Sequence, residues 1–126
     1  MYEHFNNHPT SKGLGFHTVR TLSKILDISW VYAYTLLQMI SEITGYASKG
    51  IASLSEILKM NGYHTEFLEE STKTVSDFCK KNKTGKYVLI FEDYCIPVID
   101  GRYFDLFDSG KEEPLYYWRK SDVGEI

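Results

Sequence analysis

Two cysteines and four histidines are the residues of this 126-residue chain whose types allow covalent or metal chemistry. A thiol attacks as a thiolate with a base within hydrogen-bond reach, so Cys79 or Cys95 would need a histidine brought to it by the fold. Two cysteines are too few for a disulfide framework, and they make no four-ligand zinc site without histidines. His4 and His8 are four apart with His17 following, but they lie in a stretch broken by Asn6, Asn7 and Pro9. There the spacing does not place two rings on one helical face, and no carboxylate cluster accompanies them. No metal and no cofactor is expected. Cys79 stands at helical spacing from Val75, and Cys95 follows Tyr94 directly, so on a strand the two side chains point to opposite faces. Both thiols are expected to pack as small buried hydrophobes.

The elements that must position these residues read from periodicity and caps. Residues 1–16 read as loop, since Asn, Pro and Gly interrupt any period and Pro9 disfavours helix at His8. Val19, Leu22, Ile25 and Leu26 form the apolar stripe of a helix from His17 to about Asp27. Ser29 caps a second helix, Trp30 to about Thr44, stopped by Gly45. Its apolar residues spread over so much of its surface that it is expected to be largely buried. Ser53 is the expected cap of a third helix ending at Met60. After Gly62 the pattern changes: strand over 63–69, short helix over 74–81, and β-forming runs over 86–92, 94–99, 102–107 and 115–119. Asp100-Gly101 between two such runs is a hairpin signal, and Pro97 restricts pairing or marks a bulge. Helices first and antiparallel strands afterwards define an α+β chain with its helices on one side of a sheet.

Composition excludes several classes. Hydrophobic residues make up 43%, enough for a core, and the formal charge of −3 is the wrong sign for a stand-alone nucleic-acid binder. The longest apolar runs, such as 87–91, fall far short of the ~20 residues that span a bilayer, and the first residues lack a basic and apolar leader pattern. A cytoplasmic protein, with no membrane and no direct nucleic-acid contact, is the expectation. Aromatic residues reach 15%, which suits a core plus one contact face.

Two stretches carry a family likeness: Pro9 followed by Gly15-Phe16-His17-Thr18-Val19-Arg20-Thr21-Leu22-Ser23-Lys24 and Ser29-Trp30, and then Asp93-Tyr94-Cys95-Ile96-Pro97-Val98-Ile99-Asp100-Gly101-Arg102-Tyr103-Phe104-Asp105-Leu106-Phe107-Asp108-Ser109. Their order and spacing resemble small bacterial and phage papain-like cysteine-peptidase-fold domains. Those open the nucleophile helix with Gly-Asp-Cys-x-x-Arg-Ala-Leu and continue with Gly-His-x-x-x-x-Ile-Asp-Gly and Tyr-Tyr-Asp-x-Trp-Asp-Ser. The resemblance spans nearly the whole chain and implies one papain-like domain over 1–126, with an N-terminal loop (1–15), helices (17–61), a mainly antiparallel sheet (63–119) and a tail (120–126).

The departures matter more. The nucleophile position holds His17, the base position holds Tyr94, the preceding acid is Phe16, and the loop Asn aligns with His8. Asp105 matches the acid that orients the family's histidine, and Arg20 is retained. A phenol with an ordinary pKa near ~10 is no base at neutral pH, and loss of nucleophile and base together abolishes the chemistry. The resemblance therefore implies a pseudoenzyme in which His17, Tyr94 and Asp105 converge at a cleft that is either filled or reused for binding.

From Glu92 to Glu113 seven acids stand against two bases. An acidic surface made by Asp100, Arg102, Asp108, Glu112 and Glu113, with Tyr116, Tyr117 and Trp118 as anchors, would suit another protein as partner, in particular a basic, nucleic-acid-handling host protein. The alternative for this segment is ordinary solvated surface. A family seen in phages, together with small size, points to a phage or mobile-element setting and to inhibition of a host defence protein such as a CRISPR nuclease. Two other readings stay open: a residual hydrolase or peptidase using His17 or a cysteine, and a phage structural or assembly protein.

Overall fold

The computed structural model describes residues 1–10 and 16–121; the remainder of the expected N-terminal loop (11–15) and of the expected tail (122–126) lies outside the described residues. Four helices and a six-stranded mixed sheet make an α+β fold. The helices are α1 (His17–Leu26), α2 (Trp30–Thr44), α3 (Ile51–Met60) and α4 (Val75–Lys81). The strands are β1 (Tyr2–His4), β2 (Tyr63–Glu66), β3 (Lys86–Ile90), β4 (Cys95–Ile99), β5 (Arg102–Asp105) and β6 (Tyr116–Lys120), in the sheet order β1-β5-β4-β3-β6-β2.

Local chemistry accounts for most boundaries. The Ser29 hydroxyl accepts the Tyr32 N–H at 3.1 Å, and Gly45 closes α2 at φ 81°. The Thr74 hydroxyl likewise accepts the Asp77 N–H at 3.1 Å to start α4. Asp100 and Gly101 both take positive φ, 50° and 77°, the tight turn that matches strand twist and joins β4 to β5. Pairing of β4 with β5 stops at Val98, beside Pro97, whereas β4 pairs with β3 over its whole length.

Several expectations are corrected. Residues 2–4 form a strand, because Tyr2, Glu3 and His4 pair in parallel with Tyr103, Phe104 and Asp105; the sheet is therefore mixed and not wholly antiparallel. Ser53 does not cap α3: the helix starts at Ile51 after Gly50, and the Ser53 hydroxyl donates to the Ala47 carbonyl at 2.7 Å. The expected strand over 63–69 stops at Glu66, and a turn of 3₁₀ helix follows at Glu70–Thr72. Helix α2 was expected to be largely buried, yet of its 15 residues only Ala33 and Leu37 are fully covered.

The helices do not share one side of the sheet. Val88, Ile90, Cys95 and Trp118 pack against α1, α2 and α3, while Leu89, Phe91, Ile96, Val98 and Tyr103 pack against α4. Successive residues of β3 and β4 thus face two different cores, which explains the unbroken apolar run from Tyr87 to Phe91. Among the described residues no helix is long and apolar enough to cross a membrane.

Trp118 belongs to the first core, 4% exposed, with its indole N–H buried and unpartnered among the described residues. Urea denaturation should place Trp118→Ala about 3–5 kcal/mol below the parent. Trp118→Phe should cost less than half as much, since it keeps a ring and removes the unpartnered donor.

Candidate functional site

The residues that the resemblance aligns with a peptidase triad lie at the start of α1 (His17), just before β4 (Tyr94) and at the end of β5 (Asp105). Among the described residues none of the three is hydrogen-bonded to another, and each has its own partners.

His17 meets a thiol. Its Nδ1 lies 3.5 Å from Cys95 Sγ, which is also 3.5 Å from the Thr21 hydroxyl; that hydroxyl donates to the Cys95 carbonyl at 3.3 Å. A helix histidine and a strand cysteine are side by side, the reverse of the family's placement. The pair is not activated. Cys95 is 1% exposed, and burial pushes its thiol up to about 12 against the lowering effects of Thr21 and Arg20. Burial and the nearby Arg20 guanidinium hold His17 below its ordinary value, so it stays neutral. The thiol of the pair is closed from water, while His17 is half-buried.

Tyr94 lies on the other side of the sheet from Cys95 and stacks on Phe91, ring centroids 4.2 Å apart and planes 1° from parallel. Burial, then Glu112, Asp105 and Asp93, push its phenol up to about 12, which makes it a weaker acid and no base. Asp105 is a structural hub. Its carboxylate accepts the Leu106 N–H at 2.7 Å and the Ser109 hydroxyl at 3.1 Å, with Arg20 Nη2 at 3.9 Å. Burial still raises its pKa above the ordinary carboxylate value despite these three favourable contacts.

Aromatic rings pack together at the start of α1. Phe16 lies 5.3 Å from Trp30 and 4.9 Å from His8, His8 packs edge-on against Trp30 at 4.5 Å, and Trp30 stacks on Tyr34. His8 also accepts the Thr10 N–H through Nδ1, while His4 and His64 bind Leu106 and Ser121 elsewhere. Among the described residues no three of His, Cys, Asp or Glu come together as metal ligands.

The acidic segment is divided by the fold. Asp100 and Arg102 are exposed at the β4–β5 turn, where Asp100 Oδ1 accepts the Gly85 N–H at 2.9 Å and Gly101 sits beside the backbone following α4. Asp108, Glu112 and Glu113 are exposed at the opposite end of α4, held by Val75 N–H to the Glu112 carbonyl and Ser76 N–H to the Gly110 carbonyl. Asp108 accepts the Tyr103 hydroxyl at 2.5 Å and the Gly110 N–H at 2.9 Å, which hold its carboxyl below the usual range.

The expected aromatic anchors are also redistributed, because β6 is an interior strand with cores on both faces. Trp118 is a core residue and offers no exposed anchor. Tyr117 is half-buried against Phe78 and Tyr87, and half-buried Tyr116 lines a shallow cavity of about 300 Å³ with Phe67. Exposed apolar area near the acids comes instead from Phe67, 86% exposed, and Leu115, 59% exposed. These two residues flank a cavity of about 280 Å³ together with Glu69, Glu70 and Glu113. Glu69 pairs with Lys81 and Glu70 with Lys73, while Glu112 and Glu113 form no ion pair among the described residues. Phe67 and Leu115 were not among the expected contact residues, because both fell inside expected strands, 63–69 and 115–119.

No protein-family model, curated protein or solved structure matches this chain.

The depressed His17 sets a pH dependence. A histidine whose folded pKa lies below its unfolded value of about 6.5 contributes stability above that value and loses it as pH falls through the folded one. The melting temperature should fall as pH is lowered below about 6.5, and His17→Asn should flatten that segment of the profile.

Proposed function

We propose that the chain is a catalytically inactive papain-like domain that works by binding another protein. The observation that carries this reading is the fate of the two chemical positions: Tyr94 is spent in a stack on Phe91, and the thiol nearest His17 is buried and protonated. The rings of His8, Phe16 and Trp30 pack together at the start of α1, where the resemblance puts a substrate cleft. The contact surface is the edge formed by Phe67, Leu115 and Tyr116 with Glu70, Glu112 and Glu113. Apolar anchors beside the exposed Glu112 and Glu113 suit a basic partner, with the field governing encounter and the anchors governing release. A host protein that handles nucleic acid has that character, and inhibition of such a defence protein is the role we assign.

Two measurements test it. An electrophilic peptide should modify Cys95 of the folded protein no faster than a free thiol; faster labelling, or hydrolysis of amide substrates, overturns the inactive assignment. An arginine-rich peptide should bind in a salt-sensitive manner, and Glu70→Gln/Glu112→Gln/Glu113→Gln should weaken it at least about tenfold at low salt with a shallower salt slope. Unchanged affinity and slope in the folded variant rule this surface out.

A further inference from the structure

Two lysines stand on a sheet face that is otherwise core. Val88 and Trp118 lie opposite each other on β3 and β6 and face the N-terminal helices. Strand alternation gives that same face to Lys86 and Lys120, two residues along each strand. The register that pairs Tyr87 with Arg119 also sets these two lysines directly opposite each other. Like charges so placed oppose folding. Neither lysine is ion-paired among the described residues, whereas Lys59, Lys73, Lys81 and Arg119 each meet an acid.

Both ammonium groups sit where helices end. Lys86 Nζ donates to the Ile25 carbonyl at 3.0 Å, and Lys120 Nζ donates to the Asn61 carbonyl at 2.6 Å. Each contact uses one of an ammonium's three N–H donors, and a helix end offsets about half a charge, so donors and positive charge are left over. With Gly85, the two lysines line a cavity of about 440 Å³ whose other wall is Ile25, Leu26 and Tyr63. An apolar wall facing a few converging polar groups is the make-up of a small-molecule site, and the volume falls in that range. The nearby acids do not answer the lysines. Asp100 Oδ1 accepts the Gly85 N–H, Glu66 pairs with Arg119, and Asp27 is exposed past the end of α1.

We propose that this cavity binds a small phosphate monoester, its phosphate bridging Lys86 and Lys120 and its apolar or ring-bearing body against Ile25, Leu26 and Tyr63. A phosphate monoester carries about two negative charges near neutral pH and three acceptor oxygens, which suits two facing ammonium groups with no carboxylate between them. A singly charged anion of the same shape answers one of the pair. Binding also removes the cross-strand repulsion that the empty site retains. The cavity lies at the far end of β2 and β6 from the acidic edge, because Tyr63 pairs with Lys120 at one end and Glu66 with Tyr117 at the other. It and the basic-partner surface therefore stand or fall separately.

The full chain is titrated with phenyl phosphate, phenyl sulfate and inorganic phosphate at about pH 8, where phenyl phosphate is a dianion, and followed by amide chemical shifts. Phenyl phosphate should saturate the shifts of Leu26, Gly85 and Lys86 and bind at least about tenfold tighter than phenyl sulfate, which has the same ring and one charge. Inorganic phosphate, which lacks the ring, should bind at least about fivefold more weakly than phenyl phosphate. Lys86→Gln and Lys120→Gln should each weaken phenyl phosphate at least about tenfold, while Lys59→Gln leaves it unchanged. Phenyl phosphate should raise the melting temperature of the parent and not that of the double glutamine variant. No saturable binding, phenyl sulfate or inorganic phosphate binding as tightly as phenyl phosphate, or an unchanged affinity in the glutamine variants would each overturn the proposal. Should a glutamine variant fail to fold, the three anions on the parent chain decide.

Discussion

Burial of β3 and β4 on both faces is the constraint from which the rest of the structure follows. Val88 and Ile90 face the three N-terminal helices, Leu89 and Phe91 face α4, and Cys95 and Ile96 divide in the same way. A sheet interior of this kind hides most side chains of β3 and β4, at roughly 1.5–3 kcal/mol for each large aliphatic residue. It leaves function to the strand ends, the edges and the outward helix faces. Of the positions that resemble a peptidase triad, His17 opens α1, Tyr94 precedes β4 and Asp105 ends β5. Tyr94 joins the α4 core by stacking on Phe91, and His17 lies against the buried Cys95.

The His17–Cys95 contact illustrates why residue types alone do not make an active site. A cysteine and a histidine 3.5 Å apart satisfy the distance demanded of a nucleophile and its base. The same fold that brings them together buries the thiol, and that desolvation outweighs the favourable charge of nearby Arg20. Burial raises the thiol and lowers the imidazole, so both neutral forms win. Asp105 is engaged by the Leu106 N–H, Ser109 and Arg20 and serves to join the end of β5 to the loop that follows it and to α1.

What the surface can do is governed by the same partition. The acidic segment is continuous in sequence, but α4 lies across the far face of the sheet and separates Asp100 and Arg102 from Asp108, Glu112 and Glu113. The second group comes next to Phe67 and Leu115, residues distant in sequence, to make an edge with both charge and apolar area. Helix α2, outermost on the other face, is half-covered by α1 and α3 and keeps a neutral apolar seam outward.

The sequence by itself determined what depends on neighbours along the chain: the 3.6-residue stripe of α1, the Ser29 cap, the Gly45 stop, the Asp100-Gly101 turn and the α+β order of elements. It also carried the odd residues at positions 17 and 94, and the opposite orientation of Tyr94 and Cys95, since strand alternation is a local property. Tertiary structure alone decided the rest, because those features are set by partners far away in sequence. Residues 2–4 become a strand only when β5 offers an edge; α4 crosses to the second face because the apolar run of β3 needs covering on both sides; Trp118 turns inward because β6 is interior. Whether α2 is buried depended on how much of its apolar surface α1 and α3 could reach, and a helix apolar on nearly every side has no periodicity to say which side stays bare.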